Sequence, residues 1–185
     1  GPPSLLLAAA VMLAARIAAR TTGLAPRTAD QVPMALVATG VGATDGGLMA
    51  GAALGGGLVV DRWLPGGARP PTVPLGLLGI VGAIGAAALW GILEPSPGLP
   101  SGPEWLVAGV AVLGLVSLGR PRSCTVPCDY RDEPVTAGRV RVARLIAVAA
   151  AALTFVWLGG SGLTAGSTVW AALAAVALPT LRRRG

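Results

Sequence analysis

Long apolar blocks separated by short charged segments are the feature that most constrains what this chain can fold into. Six blocks run over residues 4–19, 32–60, 73–93, 105–119, 145–158 and 168–181. A helix on the surface of a soluble domain shows an apolar stripe and a polar face. These blocks are apolar all round, as helices are when lipid is the outer solvent. The charge content agrees: 12% of residues are charged, against about 25% in soluble domains, and the mean hydropathy is +0.73. The expectation is an all-α fold, a polytopic transmembrane bundle of about six helices forming one domain over 1–185. The run Leu5 to Ala15 has the length of a signal-peptide core, but Arg16 and Arg20 follow it rather than precede it, so it is taken as a first membrane helix.

The second block holds the main ambiguity. Its 29 residues would make a helix of about 44 Å, against roughly 30 Å of hydrocarbon. One solution is a single long span in a simple six-span bundle. The other is a broken or re-entrant segment that turns at Asp45-Gly46-Gly47. The third block, about 21 residues long, matches the roughly 20 that a span needs.

All fourteen basic residues are Arg, and there is no His. With a composition rich in Ala, Gly, Leu, Val and Pro, this is the coding bias of a GC-rich bacterial genome. The net charge of +6 does not point to nucleic acid, because the arginines lie between the apolar blocks without interleaved aromatics. Six simple spans put Arg62, Arg69, the six arginines of a loop over 120–144 and Arg182 to Arg184 in the cytoplasm, and leave Arg16, Arg20 and Arg27 outside. The re-entrant alternative puts all fourteen on one side. Either way the expected location is the inner (plasma) membrane, multi-pass, with a cytoplasmic C-terminus. Trp63, Trp90 and Trp105 stand near block ends, as interfacial aromatics do.

Few residues offer chemistry. Asp45 in the second block is the foremost candidate, because a carboxylate near mid-membrane is costly and usually serves a site. Thr44 lies beside it, and Asp61 and Arg62 close the same block. The alternative for Asp45 is a bend near a surface, or a cap on a half-helix. Gly47, Gly51 and Gly55 recur every four residues and give a helix face that another backbone can approach closely; Gly42 and Gly46 do the same, and Gly76, Gly79, Gly82 and Gly85 recur every third residue. Cys124 and Cys128 flank Thr-Val-Pro in the Arg-rich loop: two unremarkable loop thiols, a redox pair, or a metal or partner contact. Two thiols without His make half a zinc site, so no metal is expected, and no cofactor.

Gly40-Val41-Gly42-Ala43-Thr44-Asp45, with Gly51, Gly55 and Asp61 following, resembles the first motif region of the PlsY-type membrane glycerol-3-phosphate acyltransferases. The resemblance covers about 25 residues. It implies an acyl transfer from acyl phosphate to glycerol 3-phosphate in a membrane helical bundle. The chain carries Asp45 where the family has Asn, and it lacks the family's histidine and lysine loop. A shorter stretch, Ala15 to Gly23, is similar to the start of prolipoprotein diacylglyceryl transferases, whose histidine is also absent.

Three classes of function follow. The first is a non-enzymatic bundle, either a transport component or an accessory subunit of a larger membrane complex, with a polar site at Asp45. The absence of His favours this class, since His is the side chain that titrates near neutral pH unaided. The second is a lipid-modifying enzyme using Asp45, Asp61 and Arg62 around an anionic substrate. The third is a membrane thiol protein. The expected partners are membrane lipid, other membrane subunits or further copies of the chain, and not nucleic acid.

Overall fold

The computed structural model describes residues 5–21, 24–67, 71–94, 127–128 and 131–173, together with residues 106 and 109. Its helices are α1 (Leu5–Ala19), α2 (Thr28–Gly42), α3 (Gly47–Asp61), α4 (Thr72–Leu89), α5 (Ala137–Leu158) and the short α6 (Gly160–Ala165). A further stretch is helical over 167–173. The other regular structure among the described residues is a two-stranded antiparallel ribbon, β1 (Pro127–Cys128) and β2 (Arg131–Pro134). The architecture is a helical bundle. Two of its helices, Thr72–Leu89 and Ala137–Leu158, are long and apolar enough to cross a membrane.

The second block is not one helix. Thr44 ends α2 by turning its hydroxyl back to the carbonyl of Val41, at 2.7 Å. Gly46 then takes a φ of +74°, a left-handed conformation that costs glycine nothing and other residues about 1 kcal/mol or more. The chain reverses there, and α3 returns antiparallel to α2. Each arm has 15 residues, about 22 Å of helix.

Helix α3 is the centre of the bundle. It packs against α1, α2, α4 and α5, and none of its residues is exposed. On the far side of α2 and α3 from α1, helix α4 contacts both. The inward positions of α4 are small: Thr72, Gly76, Gly79, Ala83 and Ala87. Its outward positions include Leu77, Leu78, Val81, Ile84 and Leu89, all exposed. Along α5 the exposed residues beyond Arg141 are Leu145, Ala149, Leu153 and Val156. Along α4, then, small side chains face in and large apolar ones face out, while the core around α3 holds Leu7, Leu54 and Leu58.

Three boundaries differ from the sequence expectation. The Arg-rich loop is shorter than 120–144, because α5 starts at Ala137 and makes Arg139, Arg141 and Arg144 helical. The residues between the fifth and sixth blocks hold the short α6. The two arms of the second block place Arg27, at the start of α2, and Arg62, at the end of α3, at the same end of the bundle. The fourth block, apart from residues 106 and 109, and the sixth beyond residue 173 lie outside the described residues.

Candidate functional site: a buried ion cluster at the arginine end

Asp61, the last residue of α3, is fully buried. Arg20, just past the end of α1, approaches it side-on: Nε donates to Oδ1 and Nη2 to Oδ2, both at 2.9 Å. Arg139, in the first turn of α5, donates from Nη1 to Oδ1 at 2.6 Å. The carboxylate thus holds two guanidinium groups, one of them bidentate, the strong geometry for such a pair. The side chains of Arg139 and Arg20 are 4% and 12% exposed, so water screens little of the interaction.

Further donors of both arginines reach backbone carbonyls. Arg139 gives Nη1 to the Ala18 carbonyl at 3.1 Å, and Nε and Nη2 to the Pro65 carbonyl at 3.2 and 2.8 Å. Arg20 gives Nη1 to the Gly66 carbonyl. Ala18 belongs to the last turn of α1, where helix carbonyls have no partner within the helix, and Pro65 and Gly66 to the turn that follows α3. Two helix C-termini therefore converge on the arginines, each with a partial negative charge of roughly half a unit. With the Asp61 carboxylate they offset most of the two positive charges. Arg20 itself takes a φ of +51°, a conformation that costs a non-glycine residue on the order of 1 kcal/mol or more. The three bonds made by its side chain hold it there.

A second polar contact ties the same end. Gln31, near the start of α2 and 1% exposed, donates from Nε2 to the Pro26 carbonyl at 2.8 Å and to Thr72 Oγ1, at the start of α4, at 3.1 Å. Five helix termini therefore meet at one end: the C-termini of α1 and α3 and the N-termini of α2, α4 and α5. Arg16, Arg20, Arg27, Arg62, Arg139, Arg141 and Arg144 all lie on those termini. Arg20 and Arg139, which simple spans would place on opposite sides, share Asp61 at this one end.

The four residues expected to form one polar site fall into two places. Thr44 and Asp45 lie in the turn before α3; Asp61 and Arg62 lie at its other end, separated by the helix length of about 22 Å. Asp45 is exposed and is neither a buried carboxylate nor a cap, since α3 has no side-chain cap. A mid-block position is a mid-membrane position only if the block is one continuous helix. Arg62 is exposed. We expect Asp45→Leu to change thermal stability by no more than about 0.5 kcal/mol, as at other exposed positions; a loss of several times that would show an unrecognised contact of the turn.

The glycines stand where backbones meet. A Cβ on Gly51 would press on the Ala38 carbonyl of α2. One on Gly55 would come within 2.6 Å of the Gly76 carbonyl of α4. Gly47 sits against the turn, on the Val41 carbonyl. Cys128 lies in β1, its Cα opposite that of Arg131, while Cys124 is outside the described residues. Among the described residues no group of three or more His, Cys, Asp or Glu could hold a metal ion. The partners of Asp61 were not anticipated from sequence; the signal was available only in the re-entrant alternative, which brings Arg20 and Asp61 to one end. Comparison of the chain with protein-family models, with curated proteins and with solved structures gives no match.

Proposed function

We propose that the chain is a non-catalytic, multi-pass component of the bacterial inner membrane, an accessory subunit of a larger membrane complex, with its arginine end in the cytoplasm. The observation that carries this reading is the sorting of side chains by size. Along α4, Leu, Val and Ile face outward while Gly, Ala and Thr face inward, and along α5 Leu145, Leu153 and Val156 face outward. In water such a surface would be a large contiguous apolar patch. In lipid it is the ordinary arrangement, because tails solvate large apolar groups and small residues let helices approach.

Charge supports the orientation. Seven described helical-end arginines gather at one end, and the charged residues described at the other are Asp45 and Glu94. Positive charge marks the cytoplasmic side. Trp63, 79% exposed, follows α3 at the arginine end, and Trp90, 68% exposed, caps α4 at the other. The two ends are about 27 Å apart along α4, close to the hydrocarbon thickness.

The subunit reading is preferred to a carrier or an enzyme for chemical reasons. Asp61 is committed to two arginines and to the joining of three helices, so it is poorly placed to take up or release a cation. Of the residues that resemble the acyltransferase pattern, Asp45 and Asp61 lie at opposite ends of α3, which favours a non-catalytic reading. Close glycine faces and tightly paired helix ends instead make a stiff block with a broad apolar exterior.

Cysteine labelling tests the arrangement. With Cys124 and Cys128 replaced by Ser, a membrane-impermeant maleimide should label Asp45→Cys in spheroplasts. It should label Thr28→Cys and Trp63→Cys only after the membrane is opened. If Thr28→Cys and Trp63→Cys label from opposite sides, the two-armed second segment and this orientation both fail. An isolated chain that turned over acyl phosphate would sink the non-catalytic assignment.

A further inference from the structure

Helix α1 is flanked by two grooves, and Arg16 and Thr21 line both of them. The first, about 340 Å³, lies between α1 and α2, with Leu13, Ile17, Leu24 and Met34 among its walls. The second, about 330 Å³, lies between α1, α5 and the helical residues 167–173; Val11, Met12, Ala147, Val169 and Leu173 are among its walls. This second groove is almost wholly apolar and follows α1 from Ala8 to Ala19, about 16 Å of helix. At the arginine end it is closed by Arg16 and Arg144, and the first by Arg16 and Arg20 with Asp30 opposite.

Arg16 is exposed, and its Nε donates to the Thr21 hydroxyl at 3.3 Å. It stands on α1 between the two grooves, the second almost wholly apolar and the first apolar at Leu13, Ile17 and Met34 but charged at Arg20 and Asp30. We infer that α1 is straddled by one two-chain anionic phospholipid, its phosphate at Arg16 and Thr21 and one acyl chain in each groove. Two observations select this occupant. The positive charge sits only at the end of the grooves where a headgroup would lie, and paired grooves meeting at one cation match a molecule with two tails and one anionic head.

The inference rests on the membrane assignment, and the two fail differently. Protein that stays monodisperse without detergent would remove the membrane assignment. Protein that needs detergent yet shows no lipid preference would remove only the lipid site. The full chain, purified in a non-ionic detergent, is to be followed by thermal unfolding while phosphatidylglycerol, lysophosphatidylglycerol, phosphatidylcholine or glycerol 3-phosphate is added. Phosphatidylglycerol should raise the unfolding temperature most and its single-chain form less. Phosphatidylcholine and the free headgroup should do little. Arg16→Gln, which leaves the Asp61 cluster untouched, should unfold like the wild type without lipid and bind phosphatidylglycerol about fivefold more weakly, as expected for one basic side chain at a lipid surface. Ala147→Phe, which fills the second groove, should abolish the advantage of two chains over one. Equal stabilisation by phosphatidylcholine, full stabilisation by glycerol 3-phosphate alone, or unchanged binding by Arg16→Gln would each overturn the inference. A photocrosslinker at Met12 that captures residues 174–185 of the chain instead of lipid would overturn it too.

Discussion

Asp61→Asn should destabilise the protein by about 3–5 kcal/mol, the usual cost of removing one partner from a buried ion pair. The amide keeps the shape of the carboxylate but removes the negative charge that Arg20 and Arg139 share. It also turns an N–H toward a guanidinium, where two donors face each other. Arg139 cannot relax into water, because its side chain is 4% exposed and its other donors are held by Ala18 and Pro65. Arg20→Ala should cost less, on the order of 2 kcal/mol, because Asp61 keeps the Arg139 bond and water can reach the space left. Replacing all three by apolar residues of similar size, as Arg20→Met, Asp61→Leu and Arg139→Met together, should recover most of the stability, since the desolvation cost disappears with the charges. Thermal or denaturant unfolding in detergent measures each term. If Asp61→Asn unfolds with the wild type, the cluster does not join α1, α3 and α5.

These expectations also separate what was legible in the sequence from what was not. The helices were legible because each apolar block needs a regular backbone with its hydrogen bonds closed internally; α1, all of α4 after Thr72 and most of α5 fall within the expected blocks. The break at Asp45-Gly46-Gly47 could be anticipated from helix length alone, as one of two alternatives. Choosing between them required knowing which termini are neighbours. That knowledge lies in contacts such as Arg20 to Asp61 and Arg139 to Asp61, 41 and 78 residues apart, which no local periodicity encodes. Asp45 shows the same limit from the other side. Its importance was inferred from depth, and depth was inferred from a continuity that the glycine turn removes.

The glycine face was partly legible for a different reason. Gly47, Gly51 and Gly55 share a face by helical period alone, but the period does not say what they meet. The structure gives them three neighbours: the turn for Gly47, the Ala38 carbonyl of α2 for Gly51, and the Gly76 carbonyl of α4 for Gly55. The approach at Gly55 is reciprocal, since a Cβ on Gly76 would come within 2.7 Å of the Gly55 carbonyl. One row of small residues thus serves α2 and α4 together, while Gly57 turns toward Ala14 of α1, whose carbonyl would lie 3.1 Å from an added Cβ.

Gly55→Leu is therefore expected to cost about 3 kcal/mol, the upper part of the usual range for overpacking. The first added atom would already lie 2.6 Å from the Gly76 carbonyl and 2.9 Å from the Ile80 backbone nitrogen. Backbone cannot swing aside as a flexible side chain can, so α3 and α4 must separate and lose their contact along several turns. Gly56 supplies the control. It is the next residue on the same helix, yet an added Cβ there meets nothing within 4 Å. Gly56→Leu should be neutral or slightly stabilising, because glycine in a helix interior costs roughly 0.8–1 kcal/mol relative to Ala, and Leu costs little. Both variants make the same chemical change in the same helix, so helix propensity and hydrophobicity cancel in the comparison. The difference between their unfolding free energies in detergent isolates the close approach of α3 to α4. Matching stabilities for the two variants would mean that the α3–α4 contact yields freely and that the glycine face does not set the helix spacing.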